Sequence, residues 1–262
     1  MKILLTGHRG FIGKNIHNEL YGSHELFCFE KDDLKKENWL EEVELMVKEC
    51  DGVMHIGAIS DTSNQNVNHI FQYNYLFSKE IIDLGSKYSK PIVFASSAAV
   101  NGNNGTPLNI YGWSKLLTEQ YGLAKGGDFL ALRYFNVYGP GEEHKGTMAS
   151  VAYQAYKKGK FQLFPKKPKR DFIYVKDVVE ATIHALLNVH QSGAYDIGFG
   201  EAKPFEDVLN YLDLSFTYKS NDSIPPWYQF HTKSNKRFWL PNWKPRYSLK
   251  EGISDYMIYL NS

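Results

Sequence analysis

Cysteine is scarce in this chain of 262 residues: Cys28 and Cys50 are the only two, and no CxxC or Cys/His spacing accompanies them. That excludes a disulfide framework and leaves no set of ligands for a structural metal. Cys28 lies in the apolar run Leu26-Phe27-Cys28-Phe29, where a reduced core thiol is the ordinary reading. Long apolar runs are also missing, since no stretch approaches the ~18 consecutive apolar residues of a membrane span. Nor is there an excess of one charge. Thirty Lys and Arg against 29 Asp and Glu give a formal net charge of +1, without a general pull toward nucleic acid or an anionic membrane. No signal-peptide pattern precedes the strand-like run that begins at Lys2, and there is no internal repeat or low-complexity segment. The expectation is a soluble cytoplasmic protein with neither nucleic acid nor membrane as partner.

What is present is ordinary globular material: 43% apolar residues, 23% charged, 21 Gly and 10 Pro. The length suits one sizeable core, or a core domain with a smaller lobe. Aromatics make up 15%, with 18 Tyr, which serves either stacking against bases and sugars or plain packing mass. Along the chain, short apolar runs at 2–6, 26–30, 53–56, 91–96 and 129–134 alternate with helical patterns at 11–21, 38–48, 67–88 and 111–125. This alternation predicts an α/β fold, a Rossmann-like doubly wound parallel sheet covered by helices on both faces. After about residue 139 the rhythm changes, with Lys, Pro and Trp frequent in 164–170, 225–227 and 241–243 and helical patterns at 147–158, 176–188 and 248–260. The reading is a dinucleotide-binding domain over 1–138, rejoined by segments near 172–198, and a smaller substrate lobe made mainly of 139–262.

The first chemical motif is Thr6-Gly7-His8-Arg9-Gly10-Phe11-Ile12-Gly13, a GxxGxxG placed between a strand and a helix. Glycine there permits the tight turn, close approach of a pyrophosphate, and helix–strand packing. Glu30 ends the second strand, 23 residues after Gly7, where a carboxylate accepts hydrogen bonds from the adenosine ribose of NAD. Arg9 and Lys31 suit a 2′-phosphate instead, so the cofactor reads as NADP or NAD, with the balance tilted to NADP. The second motif is Tyr111-Gly112-Trp113-Ser114-Lys115. Positions i and i+4 share one helix face, and the Lys charge is expected to lower the Tyr pKa so that a phenolate takes a carbinol proton. Ser97 closes a strand 14 residues earlier and offers the hydroxyl that holds the substrate oxygen. Each element alone has an ordinary structural reading; their order along one chain makes coincidence a poor account.

With Arg133-Tyr134-Phe135-Asn136-Val137-Tyr138-Gly139-Pro140 added, the chain resembles the extended short-chain dehydrogenase/reductases, the nucleotide-sugar epimerases and dehydratases. Gly57-Ala58-Ile59-Ser60-Asp61-Thr62, the segment 138–151 with its His144-Lys145-Gly146-Thr147-Met148, and Lys169-Arg170-Asp171-Phe172 are similar to the ADP-glycero-manno-heptose 6-epimerase branch. The resemblance implies epimerisation through transient oxidation by a tightly held nicotinamide cofactor, with Tyr111 and Lys145 as paired bases. It places Phe11, Ile12, Ala58, Ser60, Asn74, Lys115 and Val137 at cofactor contacts. It places Ser97, Asn136, Thr147, Gln154, Arg170 and Tyr228 around a nucleotide-diphosphate sugar, and it implies a homo-oligomer. By itself Lys145 reads as an exposed loop charge; the motif around it favours catalysis.

The departures touch the nucleotide pocket: Pro165-Lys166-Lys167 replaces a small polar segment, Gln154 a histidine, Tyr73 the first of two asparagines, and Asn101 a tyrosine. Ala98-Ala99 after Ser97 argues against a dehydratase, which needs an acid pair there. An epimerase–reductase of the GDP-fucose-synthase kind or a dTDP-sugar reductase is the competing enzyme, and a non-catalytic NAD(P)-binding scaffold is the competitor from another class.

Overall fold

In the computed structural model, which describes residues 1–102, 104–225 and 228–262, the alternation of runs becomes a layered α/β fold; Asn103 and the pair Pro226-Trp227 lie outside those residues. The first half runs β1 (Lys2–Thr6), α1 (Phe11–Leu20), β2 (Glu25–Phe29), α2 (Trp39–Glu49), β3 (Gly52–His55), α3 (Val67–Phe71), α4 (Phe77–Lys87), β4 (Ile92–Ser97), α5 (Ile110–Lys125) and β5 (Phe129–Tyr134). The second half runs β6 (Asn136–Tyr138), α6 (Val151–Lys158), β7 (Phe161–Leu163), β8 (Lys169–Tyr174), α7 (Val175–Asn188), β9 (Gly193–Ile197), β10 (Ala202–Pro204), α8 (Phe205–Tyr211), β11 (Phe216–Tyr218) and α9 (Leu249–Leu260).

Six strands pair in parallel in the order β2-β1-β3-β4-β5-β9. The inner strands β3, β4 and β5 are apolar nearly throughout and buried on both faces, as parallel strands between two helix layers must be. On one face Phe11, Ile16 and Leu20 of α1 and Val178, Ala181 and Ala185 of α7 pack on Ile3, Leu5, Val93 and Leu132. On the other, Val43 and Val47 of α2 and Phe77, Ile81 and Ile82 of α4 cover Leu4, Val53, Phe94 and Ala131. The strand order reverses direction between β1 and β3, so their carboxyl ends open a crevice where a doubly wound sheet binds its ligand.

Two helical stretches differ from the pattern read in the sequence. The stretch 67–88 is broken by a π-helical turn over Gln72–Leu76, which lets one extra residue into the turn. The stretch 147–158 is a 3-10 turn over Glu143–Met148 followed by α6, which starts only after Ser150 caps it by accepting from the Tyr153 amide. Beyond β5, one residue, Phe135, carries the chain out of the main sheet into β6, which pairs with β8; β10 flanks β8 antiparallel. α7 then leads back to the main sheet through β9. The smaller unit has its own core, in which Tyr138, Tyr174, Leu209, Ile253 and Tyr256 meet between α6, α8 and α9.

Candidate active site

The glycine loop forms the floor of the crevice. Gly7 has φ +72°, and a Cβ there would lie 2.4 Å from the Cα of Gly57 beyond β3, so only glycine fits at the switch point. A Cβ on Gly13 would sit 2.0 Å from the Gly7 carbonyl oxygen, which is how α1 comes so close to β1. Gly10 caps α1 without a side-chain hydrogen bond, leaving the first-turn amides of a ten-residue helix for an anion. These residues, with Phe11 and Ile12, line a cavity of about 890 Å³. The cradle therefore fits the diphosphate of a dinucleotide.

Glu30, Arg9 and Lys31 line the same cavity, and Ala58 and Ser60 enter from the segment after β3. Glu30 is held in place: its Oε1 accepts from the Arg9 amide at 2.6 Å and lies 3.2 Å from His8 Nδ1. Arg9 and Lys31 carry no ion pair among the described residues, whereas Asp32 pairs with Lys35.

Asn74 does something other than the expected cofactor contact. It is fully buried and outside the cavity wall, because its amide is spent inside the protein. Oδ1 accepts from the Ile59 amide at 2.8 Å, and Nδ2 donates to the Ile59 carbonyl at 3.0 Å and to Ser114 Oγ at 3.1 Å. The π turn exposes the Asn74 carbonyl, which accepts from the hydroxyls of Ser78 and Thr118. Since Ser78 donates there, it accepts from His55 Nε2 at 2.7 Å; His55 Nδ1 then accepts from Thr6 Oγ at 2.7 Å, and Thr6 Oγ accepts from the Gly57 amide. The buried imidazole is neutral, pushed down to about 3 by desolvation and by the charge of Lys115. This chain of bonds ties the loop after β3 to α5, the helix that carries the next group.

Ser97 ends β4, and Tyr111 and Lys115 lie one turn apart at the start of α5, whose N-terminus Asn109 caps by accepting from the Gly112 amide. All three face the cavity. Lys115 is only 1% exposed; its ammonium donates to the Ala95 carbonyl at 2.7 Å and lies 4.7 Å from the Phe94 ring centre and 6.0 Å from that of Tyr111. Burial lowers Lys115 to about 7. Contrary to the sequence expectation, the Tyr111 phenol is raised, by burial, with the Ser97 hydroxyl opposing in part. Burial, opposed only by the Ser97 hydroxyl, thus favours the protonated phenol.

Lys145 comes from the 3-10 turn before α6, with its ammonium 5.4 Å from the ring centre of Phe11. Phe11 begins α1 and Tyr111 begins α5, helices on different faces of the sheet, and Lys145 beside Phe11 lines the same cavity as Tyr111. Burial lowers Lys145, and the Glu142 carboxylate opposes that shift.

The far end of the cavity is lined by Asn136 and Val137 of β6, by Thr147, and by Arg170 and Tyr228. Arg170 is 8% exposed and has no carboxylate partner among the described residues. Its Nη1 donates to the Lys169 carbonyl at 3.0 Å, and its guanidinium carbon lies 5.0 Å from the Tyr228 ring centre and 5.6 Å from that of Phe205. A buried cation held by aromatic rings has the chemistry to bind an anion. Gln154 stands outside this wall, its amide donating to the carbonyls of Thr147 and Ala149. Phe164 and Phe205 belong to the wall and were not picked out in the sequence; Phe164 meets Tyr228 edge-on at 4.9 Å. Their only sequence signal is the high aromatic share.

Comparison with known proteins shows the family. Residues 3–198 match the family described as the NAD dependent epimerase/dehydratase family. An ADP-L-glycero-D-manno-heptose-6-epimerase of Pseudomonas aeruginosa is 32% identical over 269 aligned residues, covering 86% of this chain and 81% of that protein. The crystal structure of the Helicobacter pylori ADP-L-glycero-D-manno-heptose-6-epimerase superposes with a TM-score of 0.86 at 26% identity, covering 100% of this chain and 96% of that one. A Thermus thermophilus UDP-glucose 4-epimerase in complex with NAD shares the fold, with a TM-score of 0.80 at 23% identity and coverage of 100% and 99%.

Proposed function

Because the chain belongs to the NAD dependent epimerase/dehydratase family, we propose that it is a nucleotide-sugar epimerase that inverts one sugar carbon by transient oxidation, most like the ADP-heptose 6-epimerases. The observation that carries this reading is the convergence on one cavity of Tyr111 with Ser97 and of a second ionisable group, Lys145, placed beside Phe11 of α1. One base suffices for a one-way oxidation; inversion calls for proton handling on both sides of the reacting carbon.

When bound, the nicotinamide dinucleotide accepts a hydride from the sugar carbon and later returns it. Arg170 clamps the substrate diphosphate, Tyr228 and Phe164 offer ring faces to the nucleotide, and Ser97 holds the reacting oxygen. Burial makes the neutral amine of Lys145 accessible, so Nζ takes the hydroxyl proton as the carbinol C–H bond breaks. The sugar is then a planar ketone. Tyr111, held protonated by burial, gives its Oη proton to the ketone oxygen as the C–H bond forms on the opposite face. The roles exchange in the reverse direction.

Three finer readings accompany this one. The fixed carboxylate of Glu30 at the end of β2 favours the two ribose hydroxyls of NAD over a 2′-phosphate, reversing the tilt to NADP drawn from Arg9 and Lys31. Free thiols at Cys28 and Cys50 favour the reducing cytoplasm, and no helix among the described residues is long and apolar enough to cross a membrane. Exposed Trp113 and Leu117 on α5, with Leu76 nearby in sequence to α4, support a homo-oligomer.

The test is NMR of the purified protein with ADP-glycero-manno-heptose and no added cofactor. Interconversion of the C6 epimers, lost in Tyr111→Phe while cofactor stays bound, is the expected result. Stoichiometric consumption of added NAD(P)H with GDP- or dTDP-keto sugars, or binding of every nucleotide sugar without turnover, overturns it.

A further inference from the structure

The segment between β6 and α6 brings Lys145 to the cavity, yet three of its residues are glycines at positive φ: Gly139 at +137°, Gly141 at +95° and Gly146 at +55°. Such a segment has large backbone freedom to lose, and a base on it needs a tether. The geometry points to Glu142 as the positioning residue that holds Lys145 at the reacting carbon, an inference that rests on the reading of Lys145 as a base. Glu142 is outside the cavity wall and fully buried, and its carboxylate joins the two ends of the segment. Oε1 accepts from the Gly139 amide at 3.2 Å and from Ser150 Oγ at 2.7 Å, and Oε2 accepts from the Ser150 amide. Between these anchor points the Glu142 carbonyl accepts from the Lys145 amide at 3.0 Å. A second tie comes from α1, where Asn15 Nδ2 donates to the Pro140 carbonyl at 2.9 Å.

Burial raises the Glu142 carboxyl, while the bonds from Ser150 and Gly139 and the charge of Lys145 favour its ionised form, so the carboxylate also sets the charge near Lys145. Lys145 faces Glu142 from its own segment, and Tyr256 of α9 also comes close to this carboxylate; Glu143 and Tyr153 stand near Tyr256, and Tyr259 near Glu143. Among these the only cation is Lys145. The remaining charge nearby, Glu143, accepts from the Gly141 amide and is half-buried. Losing the Glu142 charge leaves the desolvation of Lys145 unopposed, so its ammonium becomes the weaker partner and its titration moves to lower pH.

The experiment measures epimerisation of ADP-glycero-manno-heptose against pH for the full chain and for Glu142→Gln, Glu142→Asp and Lys145→Met. Glu142→Gln keeps the size but turns an amide N–H toward a backbone N–H in either orientation, that of Gly139 or that of Ser150. A drop in kcat of about tenfold or more is expected, with KM within about twofold. The pH limb belonging to Lys145 shifts down by about half a unit or more. Glu142→Asp restores the limb because it restores the charge. An inactive Lys145→Met beside a Glu142→Gln with wild-type kcat and an unshifted limb overturns the inference while leaving Lys145 as the base. A fully active Lys145→Met overturns the reading beneath it. Where Glu142→Gln yields no folded protein, Glu142→Asp and Ser150→Ala read the same tether. A several-fold loss of kcat with an unmoved limb supports it, and wild-type kcat in both overturns it.

Discussion

Replacing Arg170 by Met separates binding from folding, because the two effects have opposite signs. The guanidinium is 8% exposed without a carboxylate partner among the described residues, and burial lowers its pKa. Its burial is compensated by one hydrogen bond to the Lys169 carbonyl and by the rings of Tyr228 and Phe205. Two cation–π contacts of ~1 to 2 kcal/mol each roughly offset the cost of taking one charge out of water. Methionine fills much of the same volume without that cost, so folding stability should stay within about 1 kcal/mol of the parent, or rise. Substrate binding behaves otherwise. A bidentate guanidinium–diphosphate contact makes two charge-assisted hydrogen bonds of ~1.5 to 3 kcal/mol each, and losing both weakens nucleotide-sugar binding by about two orders of magnitude or more. Urea unfolding supplies the first number, and calorimetric titration with a nucleotide-diphosphate sugar supplies the second. Loss of more than about 2 kcal/mol of stability with unchanged affinity would refute the assignment and make Arg170 a structural cation.

Three further outcomes follow from the same structure. Asn74→Ala strips hydrogen bonds from the Ile59 amide and carbonyl and from Ser114 Oγ, so stability should fall by about 2 to 4 kcal/mol in denaturant unfolding. Cofactor affinity should fall with it, because Ile59 lines the cavity; an unchanged midpoint and unchanged affinity contradict the network. Glu30→Ala should raise NADP affinity relative to NAD in fluorescence titrations, and a parent protein that already prefers NADP shows that Arg9 and Lys31 dominate. Lys115 is lowered by burial to about 7, whereas the unfolded chain holds a lysine near its usual 10.5. Between these values the unfolded state binds the extra proton, so Lys115 makes stability rise with pH across that window, by up to about 1.4 kcal/mol per unit. Lys115→Met should flatten the slope measured by urea unfolding at pH 7.5 and 9.5; an identical slope in both proteins shows that Lys115 is charged throughout.

What the sequence made readable was whatever depends on near neighbours. The glycines at 7, 10 and 13 carry their meaning in the missing Cβ, and Tyr111 and Lys115 carry theirs in a spacing of four, so both survive without coordinates. Asn74 and Glu142 do not. The partners of Asn74 lie 15 and 40 residues away, and the carboxylate of Glu142 is closed in by Tyr256 from the last helix. The π turn that frees the Asn74 carbonyl depends on one inserted residue, which leaves the apolar period of 67–88 almost unchanged. Arg170 was visible as a cation, but the rings of Phe205 and Tyr228 that hold it come from separate parts of the chain.

Tyr111 shows the same limit in energetic form. Sequence spacing counts the lysine charge, which lowers a phenol, but carries no measure of desolvation, which raises the phenol and disfavours the lysine charge as well. Because both groups are buried together, the term visible in the sequence is weakened by the term that is not. The sign of the result belongs to the fold. For the proposed epimerisation, that direction suits Tyr111 to giving a proton and the lowered Lys145 to taking one in one sense of the reaction.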